Sequence, residues 1–185
     1  MAISLRNASG SLQFSSRMPD PPVGLTDQQQ ERKLPETLFS IVNLLAVAGW
    51  IGLAIATPLK PGAVRDFILL ASGRWVPVLL CVAYATFLAR YWGSTPGGGF
   101  QSLGAVQILF TSPGILLAGW THYLAFDLFV GRWMVDDASS DGRSRIPLIL
   151  ALPTTFLFGP VGVLLYLAGR SLFGFQVGKQ RHSDT

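Results

Sequence analysis

Between Glu36 and Lys60 the chain runs for 23 residues, TLFSIVNLLAVAGWIGLAIATPL, without a charged side chain. About 20 apolar residues in a helix cross a hydrocarbon core some 30 Å thick. In lipid, only a helix or a closed barrel satisfies its own backbone groups. This run therefore predicts a membrane-spanning helix, stopped by Pro58 and the LKPG that follows it. Three more runs repeat the pattern. WVPVLLCVAYATFLARYW predicts a second span over 75–92, with a tryptophan at each border and Arg90 near enough to the end to snorkel. A third span is expected over about 113–133, and a fourth over 146–169, closed by Arg170.

Composition agrees. Charged residues make up 13% of the chain and hydrophobic ones 50%, whereas soluble domains carry about 25% charge. So few charges do not cover a soluble globule of 185 residues. The expected fold is an all-α, multi-pass integral membrane protein: a bundle of four transmembrane helices with a disordered N-terminal tail. Residues 1–36 form the polar tail, with the low-complexity stretch TDQQQERK; 37–170 form the membrane domain; 171–185 form a C-terminal tail. No apolar segment in 1–36 has the form of a signal peptide, while the first 19 residues, with Ser and Arg but no acid, weakly resemble an organelle transit peptide. Four spans put both termini on one side, and counting Lys and Arg favours the cytoplasmic side slightly.

The formal charge is +4, but the basic residues are scattered and form no stripe for phosphates, so nucleic acid is not expected as a partner. Cys81 is the single cysteine, which excludes an intramolecular disulfide. GSTPGGGF at 93–100 is a flexible loop without the Lys-Ser/Thr of a phosphate cradle. SLGAVQILF, next along, is too short to cross, so the segment 101–112 either lies at the interface or lengthens the third helix. DDASSDGRSR at 136–145 reads as an exposed turn.

Polar side chains inside the spans are costly and carry most of the functional information. The third span reads GILLAGWTHYLAFDLFVGRWM. His122 falls near its middle, and Asp127 about 7 Å further along. A central Asp costs about 2.5–3.5 kcal/mol to insert, so Asp127 is expected to face the bundle interior or keep its proton. Tyr123 and Asp127, four apart, share a helix face. His122 and Asp127, five apart, are about 140° apart round the axis and do not pair directly. Asn43, Thr154 and Thr155 are the polar groups available to His122 on other helices. The same residues also suit a purely structural role, as hydrogen bonds between helices. No metal site is expected, because helical ligands come three or four apart and Asp136 and Asp137 would have to fold back. His182 reads as a solvated tail residue.

PTTFLFGPVG, at 153–162, places two prolines inside the fourth run; Pro153 frees the Ile149 carbonyl and Pro160 that of Phe156. Broken backbone at membrane depth occurs where protein or a cavity satisfies it. Gly159 and Gly162 give room for a close helix or an elongated ligand. With His122 and Asp127, the break outlines a site between the third and fourth spans. The aromatics around it, Trp50, Trp120, Tyr123, Phe126, Phe129, Phe156 and Phe158, suit either a pocket for a long isoprenoid or the filling of a bundle.

WTHYLAFDLFVGRWMVDDA followed by IPLILALPTTFLFGPVGVLLYLAGR resembles the plant neoxanthin-synthase family, the abscisic-acid-deficient-four-like proteins, and its bacterial relatives. The resemblance covers about 113–170 and marks Trp120, His122, Asp127, Gly159, Pro160 and Gly162 as family positions. It implies conversion of the epoxy-carotenoid violaxanthin to allenic neoxanthin. The chain lacks a long transit peptide, so a bacterial inner membrane is expected rather than a plastid one. Opening an epoxide to an allenic alcohol is an isomerisation that needs no redox cofactor. It needs an acid for the oxygen and a base for a chain proton. Asp127 and His122 are the expected acid and base. Trp120, Tyr123, Asn43, Thr154, Thr155, Gly159, Pro160 and Gly162 are the expected substrate contacts. The expected partners are the bilayer, a carotenoid or other isoprenoid, and a second copy or biosynthetic proteins. Two other classes fit the same residues: a non-catalytic isoprenoid-binding or assembly protein, and a small transporter.

Overall fold

A computed structural model describes the backbone of residues 23–140 and 146–181, and the side chains of 33–139 and 146–172. All the secondary structure in these residues is helical. The elements are α1 (Val23–Ala56), α2 (Ala63–Leu70), a π-helical turn (Ala71–Trp75), α3 (Val76–Tyr91), α4 (Leu103–Leu109), α5 (Pro113–Ser140), α6 (Ile146–Phe158) and α7 (Pro160–Arg181). Three stretches are long and apolar enough to cross a membrane: Lys33–Ala56, Ala63–Tyr91 and Pro113–Ser139. Their outward faces are apolar, with Leu44, Val82 and Phe129 exposed. Such a surface is an aggregation hazard in water and suits lipid.

α5 is the central helix, packed against α3, α1 and α6. Association in lipid has little hydrophobic drive, so small residues that admit close packing matter most. Gly114 of α5 receives the Tyr91 ring, and Gly131 receives the edge of Trp50. Tyr91 ends α3 where Gly114 begins α5, and Gly73 lies against Arg132, so these two helices run antiparallel. Leu53, Leu80, Leu128, Met134 and Leu148 form the fully buried centre.

The first three spans differ from expectation in extent. The second begins at Ala63 rather than 75, because the π turn carries the helix through without a break. Its early charge is accommodated by burial: Arg65 is 8% exposed and donates to Ser139 Oγ at 2.7 Å. α1 starts at Val23, so 23–36 is helical where a disordered tail is expected, in keeping with its Gln, Glu, Arg and Lys content. Residues 1–22 lie outside the described residues. The segment after the glycine loop does not lengthen the third helix: α4 is a separate short helix, capped by Ser102 Oγ accepting from Ala105 N at 3.1 Å. α5 continues to Ser140, so Asp136 and Asp137 are helical; 141–145 lie outside the described residues. α7 runs past residue 170 to Arg181, and His182 lies outside the described residues.

The expected fourth span is the largest correction. It is not one helix, because the chain reverses at Gly159. A β-carbon on Gly162 would meet the Thr155 backbone, and one on Gly169 would lie 2.8 Å from Pro147 Cβ. Residues 22 apart are thus in contact, so α6 and α7 are the antiparallel legs of a hairpin. The 13 residues of α6 reach about 20 Å, short of a hydrocarbon core about 30 Å thick. The turn follows from Gly-Pro. Gly159 adopts φ +47°, which a glycine takes at little cost, and its N–H bonds to Thr155 O at 2.8 Å to close α6. Pro160 is the first residue of α7, where its missing N–H breaks no helical bond.

Candidate active site

The hairpin tip meets the middle of α5. Asp127 is followed by 13 residues before α5 ends at Ser140, the same number as in α6, so a leg returning from that end comes back to the level of Asp127. A β-carbon on Gly159 would sit 3.0 Å from Asp127 Oδ1, 3.2 Å from Oδ2 and 3.4 Å from Tyr123 Cε2. The absent side chain is what lets the carboxyl reach the tip. Tyr123, one turn earlier on the same face, borders the same glycine beside that carboxyl. Oδ2 of Asp127 is buried without a hydrogen-bond partner among the described residues. The N-terminus of α7 begins one residue beyond Gly159, and such an end favours negative charge close by.

Trp120 and Asn43 extend this face toward α1. Trp120 Nε1 donates to Asn43 Oδ1 at 3.1 Å, and Asn43 Nδ2 donates to Phe39 O at 2.6 Å. The Trp120 ring lies 5.5 Å from Tyr123 and 6.0 Å from Phe39. An aromatic row therefore leads from the α1 side to Asp127. Thr154 and Thr155 turn back onto their own helix, donating to Leu150 O at 2.7 Å and Ala151 O at 2.8 Å. Thr155 is fully buried beneath Gly162, while Pro160 and Gly162 shape the turn.

His122 is placed elsewhere. Its ring is exposed, stacks on Phe126 at 4.5 Å between centroids, and lies 5.2 Å from that of Tyr84 on α3. These aromatic neighbours replace the expected Asn43, Thr154 and Thr155. Asp127 faces the hairpin on a different side of α5. The five-residue spacing separates the two groups as the helical angle requires, and no other element among the described residues brings them together.

One ionic cluster was not singled out from the sequence. Asp137 Oδ2 accepts from Tyr166 Oη at 2.6 Å and from Arg170 at 3.1 Å, pinning α7 to α5 near the open end of the hairpin. The sequence signal is Tyr166 and Arg170 four apart on one helical face. Among the described residues, no three His, Cys, Asp or Glu side chains gather as metal ligands.

These features define an integral membrane protein with a carboxyl group at the tip of a helical hairpin. The family model described as ABA DEFICIENT 4-like matches residues 37–166, and the chain belongs to that family. The match spans α5 and the hairpin tip, including Trp120, His122, Asp127, Gly159, Pro160 and Gly162. Comparisons with curated proteins and with solved structures gave no match.

Proposed function

We propose that this chain is a carotenoid-modifying membrane protein that isomerises an epoxy-carotenoid to an allenic alcohol, with Asp127 as its reacting group. The observation that carries the reading is a carboxyl with an unpartnered oxygen, against the glycine tip of a hairpin at the middle of a membrane helix. One carboxyl can perform both proton transfers. Protonated Asp127 gives its proton to the epoxide oxygen as one ring C–O bond breaks. The carboxylate so formed takes the proton from the adjacent chain carbon. The electron pair of that C–H bond becomes a double bond cumulated with the existing one, and the acid is restored. The oxygen stays on the other ring carbon as a hydroxyl, so no atom or electron is gained or lost.

The Tyr123 hydroxyl and the N-terminus of α7 stabilise the carboxylate between the two transfers. Trp120 and Tyr123 border the polyene, with Asn43 holding the Trp120 ring. Gly159, Pro160 and Gly162 shape the tip, and Thr154 and Thr155 support the α6 leg. His122 serves an aromatic surface on another face, because an acid and a base for one epoxide must reach the same ring.

The matching topology is three crossings with α6 and α7 re-entering from one side, which leaves the termini on opposite sides. Bacterial inner membrane is the proposed location. The test of function is to supply violaxanthin to membranes with and without the chain and separate the pigments. A product of equal mass absorbing at shorter wavelength supports isomerisation. Retained pigment without turnover favours binding or assembly, and pH-dependent flux favours transport.

A further inference from the structure

A second feature lies on the side of α5 that carries Phe126, between that helix and the α2–π–α3 span. It is a groove of about 900 Å³. Pro77, Val78 and Cys81 form one wall, and Phe126 and Phe129 the other. Val78, Phe126 and Phe129 are all exposed, so the groove opens sideways to lipid. Its mouth is different in kind: Asp66, Arg74, Arg132 and Asp136 converge there.

The mouth is built by the π turn. A π turn holds an extra residue and occurs disproportionately at functional sites. Here it lays Gly73 directly on the Arg132 stem, where a β-carbon would lie 2.7 Å from Cγ. Arg74, the next residue, lines the mouth.

The lining charges are balanced in number but not all paired with one another. Arg132 is paired with Asp136 at 2.7 Å. Asp66 has Arg65 at 4.0 Å, and the buried Nε of Arg65 has no hydrogen-bond partner among the described residues. Each lining aspartate thus has an arginine within 4.0 Å, and among the described residues Arg74 is the lining arginine with no carboxylate that close. The mouth therefore suits one monoanionic group. The depth also selects. From Asp136 to Ala125 along α5 is about 16 Å, half of a hydrocarbon core about 30 Å thick. That is the reach of an acyl chain within one leaflet, whereas a C40 polyene is long enough to cross both.

We infer that this groove is a site for an anionic membrane phospholipid, with its phosphodiester at Arg74 and an acyl chain along Phe126 and Phe129. The site is independent of Asp127 and of the proposed isomerisation.

Native mass spectrometry of the full chain, with dioleoyl phosphatidylglycerol and dioleoyl phosphatidylcholine in competition, tests it. One basic residue near the surface favours anionic lipid about fivefold. Wild type should prefer phosphatidylglycerol by about that factor. Arg74→Gln, an exposed and foldable change, should bring the two lipids to parity, while Lys60→Gln, in the nearby loop, should keep the preference. No preference in wild type, or equal loss in both variants, would overturn the site. Violaxanthin displacing phosphatidylglycerol with the same dependence on Arg74 would assign the groove to the polyene and overturn it equally.

Discussion

Replacing Gly162 with Ala distinguishes a hairpin from a kinked straight helix by the sign of its effect. In a straight helix residues 155 and 162 lie about 10 Å apart along the axis. Ala would then be preferred over Gly by roughly 0.5–1 kcal/mol, and the protein would be neutral or stabilised. In the structure the added carbon would sit on the Thr155 backbone, 2.6 Å from its Cα. Ordinary carbon contacts begin near 3.5 Å, so the legs must separate by about 1 Å. Overpacking typically costs 1–3 kcal/mol, and a backbone neighbour yields less than a side chain, which places this change near about 3 kcal/mol. At roughly 2–4 °C per kcal/mol for a chain of this length, the melting midpoint should fall by about 6–12 °C. Intrinsic tryptophan fluorescence of the purified full chain during heating reads it. Gly62→Ala is the matched control, since nothing lies within 4 Å of a β-carbon there. If Gly162→Ala melts at or above wild type, the two legs do not touch and the hairpin is wrong.

Three further outcomes follow from the same geometry. Reporter fusions after residues 36 and 175 should lie on opposite sides of the membrane; the same side would restore a fourth crossing. Asp137→Asn removes the charge that holds Tyr166 and Arg170 and should cost about 1–3 kcal/mol, read as a lower melting midpoint, with Arg170→Gln in the Asp137→Asn background adding little. Gly159→Ala strains a position at φ +47° by about 1–2 kcal/mol and puts a methyl 3.0 Å from Asp127 Oδ1, so turnover should fall much further than stability.

The sequence carries the membrane class plainly, because an uncharged run such as 37–59 has few other homes. Direction is a different matter. Hydropathy counts the two legs around Gly159 as one run of 24 residues, since a hairpin buried in lipid is as apolar as a single crossing. The Gly-Pro pair held the missing information: glycine in the left-handed region ends one helix, and proline begins the next. The early start of the second span was hidden because Arg65 and Asp66 look like loop residues, and only the fold shows Ser139 receiving the guanidinium. At the site, the shared face of Tyr123 and Asp127 was legible from their spacing. The separation of His122 from Asp127 was legible too, as an angle of about 140°. What the sequence does not contain is the neighbour on each side, Gly159 for the acid and Tyr84 for the imidazole.

Asp127→Asn in the violaxanthin assay tests the central claim most directly. Asn keeps the size of the side chain beside Gly159 and removes the proton that the reaction passes back and forth. Wild-type, Asp127→Asn and His122→Ala membranes, matched for inserted protein, would be supplied with the epoxide and their pigments separated. The account expects the equal-mass, shorter-wavelength product from wild type, its retention in His122→Ala, and its loss in Asp127→Asn. Product formed at the wild-type rate by Asp127→Asn would contradict it.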